Sequence, residues 1–181
     1  SKWKISKTEN WISIRSQSQR PIVLYANRPL DSKQELDIKA QDALIDFLQQ
    51  QGHEPAVLIH RGHSYHLDKT IRRLKPSVKL AILGSCGSYN NAISIATINP
   101  DVQIIGSKKM GTKSINDPII DVINQALYNN DDLAWPLIWE KLATRFSKDE
   151  ATLTLFNEYI PPSKNVSLFV LKLFNYYSKV V

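Results

Sequence analysis

Residues 56–88 read AVLIHRGHSYHLDKTIRRLKPSVKLAILGSCGS, and the reading of this stretch decides the fold. Its two apolar runs, residues 56–60 and 78–83, contain almost no polar side chain, as expected of strands covered on both faces in a parallel sheet. Residues 68–75 between them have helical character, with Asp68 placed as an N-cap and Pro76 as a stop. Strand, short helix and strand read as a parallel βαβ unit, and if the two strands are neighbours their ends lie close together. Each run ends in a loop rich in small and polar residues. His60-Arg61-Gly62-His63-Ser64-Tyr65-His66 follows the first run, and Gly84-Ser85-Cys86-Gly87-Ser88 the second.

The same alternation continues outward. Residues 21–26 and 102–106 read as two further strands of the sheet. Leu36, Ala40, Ala43, Leu44, Phe47 and Leu48 recur at helical spacing, and Gly52 closes that helix in the left-handed conformation glycine tolerates. A helix is expected over residues 89–98. Another carries Ile115, Ile119, Val122, Ile123, Ala126 and Leu127 on one face, with Asp117 at its N-cap and Pro118 in its first turn. Residues 1–20 alternate weakly and read as an edge strand or hairpin, or as a lead-in. Residues 131–181 read as helices packing on or extending the core, punctuated by Pro136 and the Pro161-Pro162 pair. Leu133, Leu137, Trp139, Leu142 and Phe146 there form an apolar stripe that reads as core. The expectation is an α/β fold: a three-layer sandwich with a mostly parallel central sheet over residues 21–130, plus a helical C-terminal segment.

Composition bounds the function. With 181 residues, 43% hydrophobic and 22% charged, the chain has the makeup of a globular domain. Its single cysteine cannot form a disulfide within the chain. The net charge of +6 is mildly basic, and the densest cluster, Arg61, Lys69, Arg72, Arg73, Lys75 and Lys79, reads as a solvated helix face. Aromatic residues are not interleaved with it as a single-strand platform requires, so no nucleic-acid partner is expected. The first 20 residues have no signal-peptide pattern. Met110 is the only methionine and the chain opens on Ser1, which points to a processed or excised piece of a longer protein. Residues 166–177 are the most apolar stretch. They are interrupted by Lys172 and Asn175 and fall short of a membrane span, so they read as a packing helix.

Loops that follow the carboxyl ends of parallel strands share one rim, where ligands of open α/β folds bind. Neighbouring strands would therefore bring His63 and Cys86 into one crevice. Flanking glycines permit close backbone approach at Cys86, the following helix favours a thiolate, and an imidazole within reach favours it further. A lone cysteine is also a common packing residue. All four histidines precede Cys86, which is the wrong order for an α/β-hydrolase. No arginine follows Cys86 at phosphatase-loop spacing. His60, His63 and His66 could join Cys86 around zinc only on a helix, which Gly62 and Ser64 oppose, so no metal or other cofactor is expected. Gly84, Gly87, Ser85 and Ser88 before a helix could cradle an anion, but no Walker lysine or dinucleotide motif accompanies them.

Val57-Leu58-Ile59-His60-Arg61-Gly62-His63-Ser64 and Leu80-Ala81-Ile82-Leu83-Gly84-Ser85-Cys86-Gly87 together resemble the caspase-like superfamily of caspases, metacaspases, separases, gingipains and clostripains. The resemblance implies a cysteine endopeptidase acting on a peptide or protein substrate. His63 would be the general acid/base, Cys86 the nucleophile, and backbone N–H groups at Ser64 and Gly87 the oxyanion donors. The sequence departs from the family in placing Ser64 where glycine commonly follows the histidine, and in the short span from His63 to Cys86. Specificity residues by the same resemblance are Arg28 and Asp31 after the first strand, and Ser107, Lys108, Lys109, Met110 and Gly111 after the fourth. Arg28 would favour an acidic substrate residue and Asp31 a basic one, while Asp31-Ser32 serves equally as a helix cap. The alternative is a catalytically silent caspase-like scaffold or regulatory domain. Its apolar C-terminal helix, with Phe169, Leu173, Phe174 and Tyr177, would then serve docking or self-association.

Overall fold

The computed structural model describes residues 2–31 and 34–178, and they fall into two units, each with its own sheet. One comprises the residues up to Glu54 together with Ile123–Asp132, the other Pro55–Val122 together with the residues from Leu133 onward.

In the first unit three strands pair antiparallel in chain order: β1 (Trp3–Lys7), β2 (Trp11–Ser16) and β3 (Val23–Asn27). The β1–β2 turn is closed by Thr8, whose amide and hydroxyl both donate to the Trp11 carbonyl, at 2.9 and 3.1 Å. Buried Ser16 braces the second turn by accepting the Ile22 amide on its hydroxyl at 2.8 Å. Helix α1 (Leu36–Gln50) packs on this sheet through Phe47, whose ring lies 5.1 Å from that of Trp11 and 6.0 Å from that of Tyr25.

The second unit is built on four strands in the order β4 (Val57–His60), β5 (Leu80–Leu83), β6 (Gln103–Ser107) and β7 (Tyr159–Ile160). The β4–β5 and β5–β6 pairings are parallel, while β6–β7 is antiparallel. Alternation places Ala81, Leu83 and Ile104 on one face. There they share a buried cluster with Leu67 and Ile71 of α2 (Leu67–Ile71), Ala92, Ile95 and Ala96 of α3 (Ala92–Ile98) and Leu168 of α7 (Val166–Tyr177). Leu80, Ile82 and Ile105 point the other way and are buried as well. Between β6 and β7 run α4 (Lys113–Asn129), α5 (Trp135–Phe146) and α6 (Glu150–Asn157). The Trp135 indole of α5 donates to Gln103 of β6 at 2.6 Å, while Trp139 stacks on Phe156 of α6 and Phe146 packs tilted against it. Buried Asn99 ties the α3–β6 turn to the segment before β5, donating to the Val78 carbonyl at 2.7 Å.

The chain is thus α/β, with several differences from the sequence reading. The expected sheet was mostly parallel and included residues 21–26. The observed central sheet is mixed, and β3 pairs with β2 in the other unit. A short apolar run does not reveal its partner, and the hairpin before it offers an edge of unpaired N–H and C=O groups. The boundary drawn at residue 20 therefore cuts through one antiparallel sheet, and that drawn at 130 is crossed by β7, which completes the central sheet. Helix α4 begins at Lys113 rather than at Pro118, because the Thr112 carbonyl already accepts the Asn116 amide at 2.9 Å. Asp117 and Pro118 therefore lie inside the helix. Leu137, expected in the core, is exposed, whereas Trp135 and Ile138 take its place. Helix α7 buries Leu168 but leaves Val166, Phe169, Val170 and Phe174 in solvent. No described helix is long and apolar enough to cross a membrane.

Ile104 is wholly buried in the cluster beneath α2 and α3. Ile104→Ala is expected to lower unfolding free energy by about 2–5 kcal/mol in a urea titration, the range for truncating a buried aliphatic side chain.

Candidate active site

Register aligns the two loops singled out in the sequence. His60 pairs with Leu83 at the ends of β4 and β5, and His63 and Cys86 lie equally far beyond those partners. Both loops leave the same edge of the sheet.

The His63 loop is held from within. His60 is buried, and its Nδ1 lies 2.9 Å from the Thr70 hydroxyl of α2. Its Nε2 faces the His63 carbonyl at 3.4 Å. A carbonyl only accepts, so Nε2 carries the proton in that contact, while the Thr70 hydroxyl can serve Nδ1 as donor or as acceptor. Burial pushes its pKa down, the bond to His63 opposes this, and the charge of His66 lowers it further. Gly62 packs tightly on the same ring, since a Cβ there would sit 3.3 Å from His60 Cε1. His63 then caps a short 3-10 turn, Ser64–His66, in extended conformation. Its exposed ring meets Tyr65 edge-on at 5.6 Å. With both ring nitrogens engaged, His60 is unavailable as a metal ligand, and no group of three potential ligands occurs among the described residues.

Cys86 is exposed, at the head of the turn into a 3-10 segment, Ser88–Asn91, that continues into α3. Its Sγ accepts the Gly111 N–H at 3.4 Å. Gly87, at φ +60, takes the left-handed conformation that the turn requires. The Gly87 N–H donates to the Lys109 carbonyl at 2.6 Å, so the expected oxyanion role of that group is corrected: it is already engaged. Among the described residues the N–H groups of Cys86 and Ser64 have no acceptor. No hydrogen bond joins His63 to Cys86 among the described residues.

The loop after β6 is locked against the Cys86 loop. A Cβ on Gly111 would run into the Gly84 carbonyl and sit 2.6 Å from the Ser85 carbonyl carbon. Ser88 Oγ donates to the Leu83 carbonyl at 2.7 Å and accepts the Ser107 N–H at 3.0 Å, joining the ends of β5 and β6. Ser107, expected to contact substrate, is wholly buried, and its hydroxyl serves the turn by donating to the Met110 carbonyl at 2.9 Å. Lys108 and Met110 are exposed, and Lys109 pairs with Glu158 at 2.9 Å. Arg28 and Asp31 belong to the first unit. Arg28 reaches the Thr8 carbonyl at 3.4 Å, and Asp31 is not the cap of α1, which begins at Leu36 after Glu35 in left-handed conformation. Ser32, the other half of that expected cap, lies outside the described residues.

Sequence reasoning missed two residues of this site. Asn116 Nδ2 donates to the Gly84 carbonyl at 2.8 Å, and Tyr159 donates to Asn116 Oδ1 at 2.9 Å while accepting the Thr112 N–H at 3.0 Å. Asn116 interrupts an apolar helix, which is a weak signal for a buried polar role. Tyr159 sits on a strand of two residues, too short for any periodicity to register. Burial pushes the Tyr159 phenol up, the Thr112 N–H offsets part of this, and the charge of Cys86 adds to it.

In comparisons with known proteins, the chain matches no family model, no curated protein and no solved structure.

Two outcomes follow from this geometry. Gly111→Ala must separate the two loops, so it should cost about 1–3 kcal/mol in urea unfolding, the range for overpacking, and alter labelling of Cys86 by thiol reagents. Because His60 has its pKa lowered on folding, the unfolded chain binds its proton more readily. Its contribution to stability is therefore complete above about pH 6.5 and lost as pH falls through the folded value. Melting temperature followed across that window should fall less steeply on acidification in His60→Gln than in the wild type.

Proposed function

We propose that the chain is a caspase-like cysteine endopeptidase domain with a three-layer core, in which His63 and Cys86 act as a dyad on peptide bonds. The observation that supports it is the parallel β4–β5 pairing, which delivers both loops to one edge in matched register. Cys86 is exposed, as a nucleophile that meets a polypeptide must be. In this mechanism His63 takes the thiol proton, and the sulfur forms a bond to the scissile carbonyl carbon. The proton then passes to the leaving amine as the C–N bond breaks, leaving a thioester. A water deprotonated by His63 attacks the thioester, releasing the acid and restoring the thiol. With Gly87 engaged, oxyanion stabilisation falls to the N–H groups of Cys86 and Ser64. Lys108 and Met110, exposed on the loop that reaches Cys86 through Gly111, are the substrate contacts retained from the sequence reading.

A second reading is a catalytically silent scaffold of the same architecture. The absence of a His63–Cys86 hydrogen bond among the described residues and the engaged Gly87 N–H favour it.

Iodoacetamide labelling of Cys86, read by intact mass, separates the two. In a working dyad, labelling near pH 6 is faster than for an ordinary thiol of pKa about 8.5, and His63→Ala slows it at least ~10-fold. Hydrolysis of a mixed peptide library should be lost in Cys86→Ala. Labelling that follows an ordinary thiol in both wild type and His63→Ala would leave the scaffold reading.

A further inference from the structure

A strand of two residues has little stability of its own, and β7 forms because Tyr159 and Ile160 pair with Ser107 and Gly106 at the end of β6. Tyr159 is buried there, its phenol bonded to the loop after β6 and to the start of α4, and through Asn116 to the loop after β5. The hydroxyl accepts the Thr112 N–H at 3.0 Å and donates to Asn116 Oδ1 at 2.9 Å, and Asn116 Nδ2 donates to the Gly84 carbonyl at 2.8 Å. Both ends of this chain adjoin the thiol. Thr112 follows Gly111, whose N–H rests on Cys86 Sγ at 3.4 Å, and Gly84 lies just before Ser85 and Cys86.

We propose that Tyr159 is a positioning residue for Cys86: its hydroxyl sets the separation of the two loops and so holds the Gly111 N–H on the sulfur. The proposal rests on the peptidase reading in that the sulfur so held is the nucleophile. Gly111 lies against Gly84 and Ser85 with no room for a Cβ, so the loops have a single close approach. A donor on sulfur favours the anion over the thiol, and at 3.4 Å a small drift of either loop weakens that bond. Burial keeps the phenol protonated, so it goes on donating to Asn116 where thiols ionise. The other charged groups around these segments are Arg61 paired with Asp117, Lys109 paired with Glu158, and exposed Lys108 and Lys113, with His60, His63 and His66 titratable on the loop after β4.

The test is the rate of Cys86 alkylation by iodoacetamide between about pH 5 and 9, with melting temperature, in the full chain and its Tyr159→Phe variant. Ser77→Ala is the control: it removes a hydroxyl bond of 2.9 Å, to the Pro55 carbonyl, at the opposite end of β4 and β5. Tyr159→Phe should slow labelling about 5-fold near pH 6–7 and displace the profile to higher pH, as loss of one hydrogen bond to the anion would. Ser77→Ala should leave the profile superimposed on the wild type even where its melting temperature falls as far. If Tyr159→Phe does not fold, Asn116→Ala breaks the same chain one link on and is read in the same way. A Tyr159→Phe profile that superimposes on the wild type overturns the proposal. The His63→Ala result separates it from the dyad. A profile sensitive to Tyr159 but not to His63 sinks the peptidase reading and keeps the positioning of the sulfur. The reverse sinks the positioning and keeps the dyad.

Discussion

Three strands finish within a residue of one another: His60 lies opposite Leu83, and Leu83 opposite Gly106, one residue before the end of β6. Everything at the candidate site depends on that register. A slip of one residue would turn β5 over, exchanging the buried face of Ala81 and Leu83 for that of Leu80 and Ile82. It would also move Cys86 relative to His63 by a residue's length. Both faces of β5 are packed with apolar side chains, so hydrophobic burial resists the slip from either side. The alignment of the loops is thus a by-product of core packing.

Above the strand ends the cohesion changes character. Apolar contacts give way to buried hydrogen bonds made largely by short polar side chains: Ser88 between β5 and β6, Ser107 within the next turn, and Asn116 between α4 and Gly84. Such groups are costly to bury unless satisfied, and once satisfied they fix loop positions more narrowly than apolar contacts do. Gly84 and Gly111 permit this closeness, since a side chain on either would strike a neighbouring loop or Asn116. His60 does the same for the first loop, its buried ring lying 2.9 Å from the Thr70 hydroxyl and 3.4 Å from the His63 carbonyl. The result is a rigid floor beneath two exposed groups, the His63 ring and the Cys86 thiol.

The helical parts of this arrangement were legible where periodicity was long. The helix through Ala40 and Phe47, the one through Ile115 and Ile119, and that through Trp139 and Leu142 all form, and Gly52 follows the first in the left-handed conformation expected of it, although the starts of the helices shift. The β4 and β5 runs and their loops were legible from apolar runs that stop abruptly, the first at His60-Arg61-Gly62 and the second at Gly84. Boundaries were less so. Asp117-Pro118 has the look of a helix start, yet Asn116 finds partners on Gly84 and Tyr159 that stabilise an earlier turn, and Asp117 turns instead to Arg61. Ser107 had the position of a substrate contact and is instead turned inward.

By itself the sequence determined the local elements: which runs are strands, which faces of helices are apolar, and that a histidine and a cysteine each follow a strand on a glycine-bearing loop. These are short-range properties, set by the spacing of side chains along a few turns or pleats. Only the tertiary structure decided which strands pair. It sent β3 to a hairpin sheet, placed β4 beside β5, and brought Tyr159 from far along the chain to the end of β6. Pairing runs through backbone groups that all residues but proline carry alike, so a short apolar run does not name its partner. Contacts distant in sequence, such as Tyr159 on Asn116 and Gly111 on Cys86, exist only once that pairing is made.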